Sequence, residues 1–312
     1  MTLIKDCSIV MYHYVRPLKE TKFSELKALE FSDFESQLDY LAENYNFVTP
    51  SQVIETIYET NELPKNAVLL TFDDGYKDHY NYVFPTLKSR GIKGVFFPPT
   101  KAIYENKLLD VNRLHFVLAS SKIEVLIKRL EDIIRYSSSE HKLKTIEEYK
   151  NLFWKRNRYD SSEVNFFKKM LQHALPKDFR SEVAKKLFAE YVDSDESSFA
   201  KKLYMNPSEL KEMKENGMEI GSHGHNHYWL EKINMNQQIQ DIECSLTLLR
   251  RDGLLPERYW FCYPYGSNNE ITRQILKQRG CEAAVTCEPT IAKCDKNNSL
   301  TLARLDTNDI PY

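Results

Sequence analysis

Two adjacent carboxylates, Asp73 and Asp74, stand at the end of a short apolar run. On a β-strand, successive side chains point to opposite faces, so the two carboxylates cannot perform the same task. One could bind a metal ion while the other accepts a proton. Because Gly75 follows, the triplet taken alone is more typical of an ordinary turn.

A histidine cluster, His223, His225 and His227, holds three of the eight histidines within five residues. The spacing of His223 and His227 predicts that both imidazoles lie on one face of a helical turn. Such a pair can reach one zinc ion at Zn–N distances of about 2.0–2.1 Å. His225 would lie on the other face, where it either faces solvent or supports the site from outside.

A third segment, Pro264-Tyr265-Gly266, follows an apolar run that ends at Tyr263. Pro264 has no N–H, whereas Tyr265 has one, and a rigid turn of this kind can aim a single backbone N–H into a cleft. The oxyanion formed during hydrolysis needs a donor aimed in this way. Taken alone, the segment is more typical of a plain loop turn.

Each of these segments follows a predicted buried strand. Short apolar runs predict strands at residues 8–12, 67–72, 94–97, 218–222, 259–263, 283–286 and 300–305. Helical spacing predicts helices at residues 31–44 (capped by Ser32), 80–89, 208–214 (capped by Ser208), 234–250 and 271–279. This alternation favours an α/β fold with parallel strands, whose active sites lie at the carboxyl ends of the strands.

The stretch from about residue 101 to 205 differs in character. It is rich in Lys and Glu, lacks glycine, and carries helical stripes of apolar residues at 125–134, 166–175 and 183–191. We expect a helical insertion at residues 101–205 within a single catalytic domain that covers residues 1–312. Its role is either that of a substrate lid or dimer surface, or that of a packed helical cap, and the sequence favours neither.

Composition narrows the possible functions. The net charge of −2 and the hydrophobic content of 42% indicate a globular chain without a basic nucleic-acid-binding face. No window approaches the roughly 20 apolar residues of a membrane span, and residues 1–7 do not resemble a secretion signal, so we expect a cytoplasmic protein. The six cysteines show no CxxC spacing, which favours reduced thiols.

The three segments together are similar, in residue type and order, to the motifs of the polysaccharide deacetylase family, which carries the NodB-homology domain. The matching residues are 71–75 (Thr-Phe-Asp-Asp-Gly), His223 and His227, and 263–266 (Tyr-Pro-Tyr-Gly). The resemblance implies a distorted (β/α) barrel of the NodB-homology type. It also implies a divalent metal ion, usually zinc.

Roles follow from position in the family's motifs. Asp74, His223 and His227 would be the metal ligands, which leaves one position open for water and substrate. Asp73 would be the general base, and the N–H of Tyr265 would assist the metal at the oxyanion.

This sequence departs from the family at two positions. The usual general acid is a histidine in a late Leu-x-His motif, and no histidine follows His227. His13 resembles the early histidine of circularly permuted members and is the expected proton donor, because the first and last strands of a barrel are neighbours. Cys262 stands where many members have an arginine that orients the base. Arg304 is the expected substitute, Arg16 is a weaker candidate, and a surface or structural arginine is an equal alternative.

We therefore expect metal-dependent hydrolytic deacetylation of an N-acetylated sugar in a nucleotide- or lipid-linked glycan or polysaccharide precursor. A deformylase or another sugar amide hydrolase would use the same site. A non-catalytic carbohydrate-binding pseudoenzyme is the alternative of another class. The expected partner is a carbohydrate, without nucleic acid or a membrane span, and the oligomeric state is undetermined. Asp78, His79 and His115 are expected to be surface groups or to support the site from outside.

Overall fold

The computed structural model describes residues 5–59, 61–157, 160–193 and 195–312. Residues 1–4, 60, 158–159 and 194, which fall within the expected single domain, lie outside the described residues. The chain divides into two compact units. We call one the α/β unit (Met1–Pro17, Ala28–Lys107 and Ala200–Tyr312) and the other the helical unit (Leu18–Lys27 and Leu108–Phe199).

The strands all belong to the α/β unit. They are β1 (Asp6–Tyr12), β2 (Val15–Arg16), β3 (Leu29–Glu30), β4 (Asn46–Phe47), β5 (Ala67–Asp73), β6 (Gly94–Phe97), β7 (Glu219–Ile220), β8 (Tyr259–Cys262), β9 (Cys281–Val285), β10 (Ala292–Lys293) and β11 (Leu305–Asp306).

The helices occur in both units. They are α1 (Phe31–Asn44), α2 (Pro50–Tyr58), α3 (Phe84–Ser89), α4 (Thr100–Glu105), α5 (Asp110–Ser120), α6 (Ile123–His141), α7 (Ile146–Phe153), α8 (Ser162–Lys169), α9 (Lys177–Tyr191), α10 (Glu196–Leu203), α11 (Pro207–Glu215), α12 (Met235–Arg251) and α13 (Glu270–Gln278). A π-helical turn, His79–Val83, leads directly into α3.

A ring of parallel strands forms the centre of the α/β unit. β1 pairs with β5, β5 with β6 and β6 with β7. A bridge between Ser222 and Phe261 continues the ring to the parallel pair β8 and β9. A bridge between Val285 and Leu302 and the parallel pairing of β11 with β1 then close it. The expected distorted (β/α) barrel is confirmed, and its first and last strands are neighbours.

The barrel is filled by apolar side chains from its own strands. One buried cluster includes Ile9, Leu69, Val95, Trp260 and Ala283, each at most 3% exposed. Burial of a side chain the size of Val, Ile or Leu contributes about 1.5–3 kcal/mol. The interior is thus a packed core, and the strand ends above it are rigid supports for polar groups.

Two predicted helix caps are wrong. The cap of α1 is Glu30, which makes no side-chain cap bond, so Ser32 does not initiate that helix. The cap of α11 is Asn206, whose side chain accepts a hydrogen bond from the N–H of Glu209 while the Glu209 side chain accepts one from the Asn206 N–H. Pro207 occupies the first helical position, where its missing N–H costs nothing, so the helix begins before Ser208.

The last predicted strand is also mostly wrong. Of residues 300–305, Leu302 forms only an isolated bridge, and regular pairing begins at Leu305. The chain before it turns at Asp295, whose carboxylate accepts hydrogen bonds from the backbone N–H groups of Asn297 and Asn298. This local turn competes with extended structure, so the strand begins later in the chain than predicted.

The helical unit contains α5 to α9 and the first part of α10. The helical insertion at residues 101–205 within a single catalytic domain stays a prediction. Its interior includes Leu126, Leu130, Phe166 and Leu187, which are inaccessible to solvent. Its role as a lid, a dimer surface or a cap stays a prediction. Among the described residues, no helix combines the length and apolarity needed to cross a bilayer. All six cysteines are free thiols, as expected.

Candidate active site

The polar residues predicted to act in catalysis or metal binding lie at the C-terminal edge of the barrel. Asp73 is the last residue of β5, and His13 follows β1 directly. His223 follows the bridge residue Ser222, and Arg304 directly precedes β11. Because these strands are parallel and adjacent, residues from both ends of the chain meet at one edge.

Asp74, His223 and His227 converge on one point. The Nε2 atoms of His223 and His227 lie 3.5 and 3.2 Å from Oδ1 of Asp74, and all three side chains are buried. Ligands about 2.0–2.1 Å from a tetrahedral zinc ion are separated by about 3.4 Å, so these spacings fit one ion. Among the described residues, Oδ1 of Asp74 has no hydrogen-bond partner, which leaves that oxygen available to a cation.

Neighbouring groups orient this cluster. The carbonyl oxygen of Cys262 lies 2.8 Å from Nδ1 of His223, so Nδ1 donates and Nε2 keeps its lone pair. The hydroxyl of Tyr76 donates to Oδ2 of Asp74 at 2.6 Å, which directs Oδ1 toward the histidines. Tyr76 was not identified from the sequence, although its place two residues after Asp74 was a usable signal.

The protonation states of the cluster suit a metal. Burial raises the pKa of Asp74, but the adjacent His223 and His227 outweigh it and hold that pKa well below its ordinary value. Burial, together with the neighbouring His223 and His13, lowers the pKa of His227 by more than the Asp74 carboxylate raises it. The site therefore offers an ionised carboxylate and a neutral His227 imidazole, which are the ligand forms that divalent zinc requires.

The histidine segment is a loop and not the predicted helical turn. Gly224 and His227 both have left-handed backbone conformations, with φ of 71° and 57°. Asp241 on α12 accepts hydrogen bonds from the backbone N–H groups of His225 and Asn226 at 3.0 and 2.8 Å. A Cβ on Gly224 would lie 2.6 Å from Oδ2 of Asp241, so the loop can close on this carboxylate only with glycine there.

His225 points away from the cluster of Asp74, His223 and His227. Its Nδ1 lies 3.0 Å from Oγ1 of Thr100, and its Nε2 lies 3.1 Å from Oε1 of Glu105. It is therefore a partly buried group that ties the loop to both ends of α4, which agrees with a supporting position.

Asp73 is held by Arg304 and Cys262. The guanidinium donates to both carboxylate oxygens at 2.8 Å, and the Cys262 thiol lies 3.4 Å from Oδ2. Arg304 also donates to the carbonyl oxygen of Thr286 at 2.8 Å. Burial raises the pKa of Asp73, but Arg304 outweighs it and lowers that pKa to about 2. The carboxylate is therefore ionised, and its role as a base stays a prediction.

His13 lies beside this ion pair. Its Nε2 is 3.8 Å from Oδ2 of Asp73, and its side chain is 43% exposed. The ring is thus close to the carboxylate without a direct hydrogen bond, at the open side of the site. Arg16, the weaker candidate for orienting the base, pairs with Asp78 at 2.8 Å.

Tyr265 lies against His227. Its ring is 4.6 Å from that of His227 and stacks on Trp229 at 4.3 Å, with an interplanar angle of 8°. Its backbone has φ of 59°, a left-handed conformation that a residue other than glycine adopts rarely. The predicted role of its N–H as an oxyanion donor stays a prediction.

Asp78, His79 and His115 are expected from the sequence to be surface groups or to support the site from outside. Asp78 and His79 are buried, 6% and 0% exposed, so they are not surface groups. His115 lies on α5 in the helical unit.

Comparison with known proteins agrees with this geometry. A family model described as polysaccharide deacetylase matches residues 60–150 and 188–284, more than half of the chain. A putative polysaccharide deacetylase, YxkH of Bacillus subtilis (strain 168), is 30% identical over 96 residues, which are 30% of this chain and 32% of that protein. The poly-beta-1,6-N-acetyl-D-glucosamine N-deacetylase of Escherichia coli (strain K12) is 33% identical over 118 residues, 35% of this chain and 18% of that protein. The matched segments thus span a third or less of these relatives.

Two solved structures resemble nearly the whole chain. The deacetylase PplD of Streptococcus pyogenes has a TM-score of 0.58 and 19% identity, covering 98% of this chain and 93% of that one. IcaB from Ammonifex degensii has a TM-score of 0.57 and 19% identity, covering 98% and 94%. At these identities the likeness shows a shared fold.

Proposed function

This chain belongs to the polysaccharide deacetylase family, and from that premise we propose that it is a metal-dependent hydrolase that removes the N-acetyl group from an amino sugar. The observation that carries the proposal is the buried cluster of Asp74, His223 and His227 beside the ionised Asp73. The cluster of three side chains can bind a cation, and the adjacent carboxylate of Asp73 can accept a proton.

Asp74, His223 and His227 would hold the metal, with zinc as the proposed ion. When bound, such a cation polarises the acetyl carbonyl and lowers the pKa of the attacking water toward about 7. A structural closed site would need a fourth protein ligand, whereas three ligands suit an open catalytic one.

The remaining steps belong to the chain's own residues. Asp73, held by Arg304, accepts a proton from the attacking water molecule while the water oxygen bonds to the acetyl carbon. The N–H of Tyr265 donates to the carbonyl oxygen while negative charge develops there. His13 donates a proton to the sugar nitrogen as the C–N bond breaks, which releases acetate and an amino sugar. The buried Arg304 keeps Asp73 ionised and fixes its direction.

We propose as substrate an N-acetylated sugar of a cytoplasmic nucleotide- or lipid-linked glycan or polysaccharide precursor. The similarity to the E. coli N-deacetylase supports a second candidate, a β-1,6-linked N-acetylglucosamine polymer. A screen for acetate release from a UDP-N-acetyl sugar, a lipid-linked N-acetyl sugar and a β-1,6-linked oligomer, each with added zinc, distinguishes them. Matched formyl substrates in the same screen test the deformylase alternative.

Two variants test the proposed chemistry. Asp73→Asn should keep its metal but lose turnover by about 100-fold or more, because the base is removed and the ligands remain. His227→Ala should lose both its metal and its turnover, because the two remaining ligands bind a cation poorly. Metal analysis and acetate release measure the two effects. Full activity in Asp73→Asn contradicts the base assignment, and metal binding without any acetate release by the unmodified protein supports a carbohydrate-binding pseudoenzyme.

A further inference from the structure

His79 is a fully buried histidine that the proposed reaction does not use. It begins the π-helical turn His79–Val83, a rare geometry that often marks functional positions. Its ring packs against the rings of Phe72, Tyr76 and Phe96, with centroids 5.5, 5.6 and 5.9 Å away. An apolar side chain would fill this surrounding at lower cost, so packing alone does not explain an imidazole.

One polar contact of His79 is directed at the segment of the proton donor. Its Nε2 lies 2.7 Å from the backbone carbonyl oxygen of His13. A carbonyl oxygen only accepts, so Nε2 carries the hydrogen. Nδ1 is buried and has no hydrogen-bond partner among the described residues. Burial lowers the pKa of His79 to about 4, so the imidazole is neutral near pH 7 and this donor persists.

The preceding residue holds the same segment from its other end. Asp78 accepts two hydrogen bonds from Arg16, at 2.8 and 3.1 Å. Asp78 and His79 therefore contact the chain on both sides of Tyr14 and Val15. His13 needs such support, because its own side chain is 43% exposed and makes no hydrogen bond to Asp73 at 3.8 Å.

We propose that His79 is a positioning residue that fixes the backbone of His13 and so places the proton donor over the site. The hydrogen bond from Nε2 to the His13 carbonyl oxygen carries the effect. The inference rests on the proposed function, in which His13 protonates the leaving sugar nitrogen.

The test compares leaving groups that differ in their need for a proton. An amide must release an amine, which requires protonation, whereas 4-nitrophenyl acetate releases a phenolate that leaves unprotonated. The variants are His79→Leu, which removes the donor; His79→Gln, whose amide nitrogen stands near the position of Nε2; and His13→Gln as the reference. Chelator competition gives the zinc affinity of each.

For His79→Leu we expect kcat on the N-acetyl sugar to fall by about 10- to 100-fold, because the acid is displaced from its productive position. KM, zinc affinity and the rate on 4-nitrophenyl acetate should stay within about twofold in His79→Leu, and the amide rate of His13→Gln gives the loss expected when the donor itself is removed. His79→Gln should recover most of the lost amide rate. An unchanged amide rate in His79→Leu, or an equal loss on both substrates, overturns the inference.

Hydrogen exchange tests the positioning without any substrate. Backbone amides of Tyr14 and Val15 should exchange faster in His79→Leu and return toward the original rate in His79→Gln, and unchanged rates overturn the inference. Failure of the proposed function is distinguishable, because the unmodified protein would then release no acetate from the N-acetyl sugar, whereas the exchange rates test the positioning of His13 independently of any substrate.

Discussion

Arg304 and Asp73 form a buried ion pair whose members depend on each other. Arg304 is 1% exposed and Asp73 is 2% exposed, and two hydrogen bonds of 2.8 Å join them. Breaking such a pair leaves one uncompensated buried charge, which is far more costly than losing both partners. The pair therefore couples the stability of the barrel edge to the direction of the proposed base.

We predict that Arg304→Met lowers the free energy of unfolding by about 3–5 kcal/mol, because Asp73 remains buried and unpaired. The double variant Asp73→Asn with Arg304→Met should recover part of this loss. Chemical denaturation measures the coupling. Arg129→Met, which breaks a more exposed pair with Glu190, is the matched control and should cost no more than about 1 kcal/mol. Additive losses in the double variant would contradict the coupling.

Tyr76 contacts the cluster of Asp74, His223 and His227 through its hydroxyl oxygen. Its hydroxyl donates to Oδ2 of Asp74 at 2.6 Å, and its ring stacks on that of Tyr14 at 4.0 Å. We predict that Tyr76→Phe weakens zinc binding by about 10- to 100-fold while the fold persists, because groups that orient ligands typically contribute this much. Competition with a chelator gives the affinity, and unaltered binding would show that Asp74 needs no such support.

At the scale of elements, the loop between β7 and α12 depends on one carboxylate. Asp241 binds two consecutive backbone N–H groups of the loop, while Gly224 supplies the left-handed conformation that brings the backbone to it. The two histidines proposed as ligands thereby lie with their ring centroids 4.9 Å apart, without any helical turn between them.

We predict that Gly224→Ala lowers zinc affinity by at least about tenfold and reduces stability by more than about 1 kcal/mol, because its Cβ would lie 2.6 Å from Oδ2 of Asp241. Gly253→Ala is the matched control, since that glycine has a similar φ of 68° and open space around its Cβ position. It should lose stability but keep zinc affinity. Equal zinc affinity in both variants would contradict the role of the Asp241 contact.

Sequence pattern predicted the strands best where both faces are buried. β5 and β6 are continuous apolar runs, and their bounds agree with prediction within about one residue. The loop at His223 could not be predicted, because its shape depends on Asp241, a contact distant in sequence. The spacing of four suggested a helix, although Gly224 was a sign against one. The contact of Arg304 with Asp73 likewise depends on closure of the ring, which no local pattern specifies.

At the scale of the whole molecule, the chain has two compact units and only one carries the proposed metal ligands. All three ligands, with Tyr76 and Asp241, belong to the α/β unit. A ligand that binds the native state adds stability to the structure that must open to release it.

We predict that zinc increases hydrogen-exchange protection of the segments around Asp74 and His223 to His227, and leaves the helices of the helical unit nearly unchanged. Exchange measured by mass spectrometry with and without zinc tests this, and the His227→Ala variant is the control that should show no gain. Equal protection of α5 to α9 would show that metal binding is transmitted through the whole chain.

The parallel pairing of Val10 with Leu305 has a kinetic consequence. It joins residues separated by almost the entire chain, and such contacts form late because the intervening loop must close first. His13 and Arg304 flank this pairing, so during refolding the proposed proton donor and the partner of the base should be the last groups to reach their places. Secondary structure of β5, β6 and the helices should therefore recover before acetate release does, by an interval set by the closing of the ring.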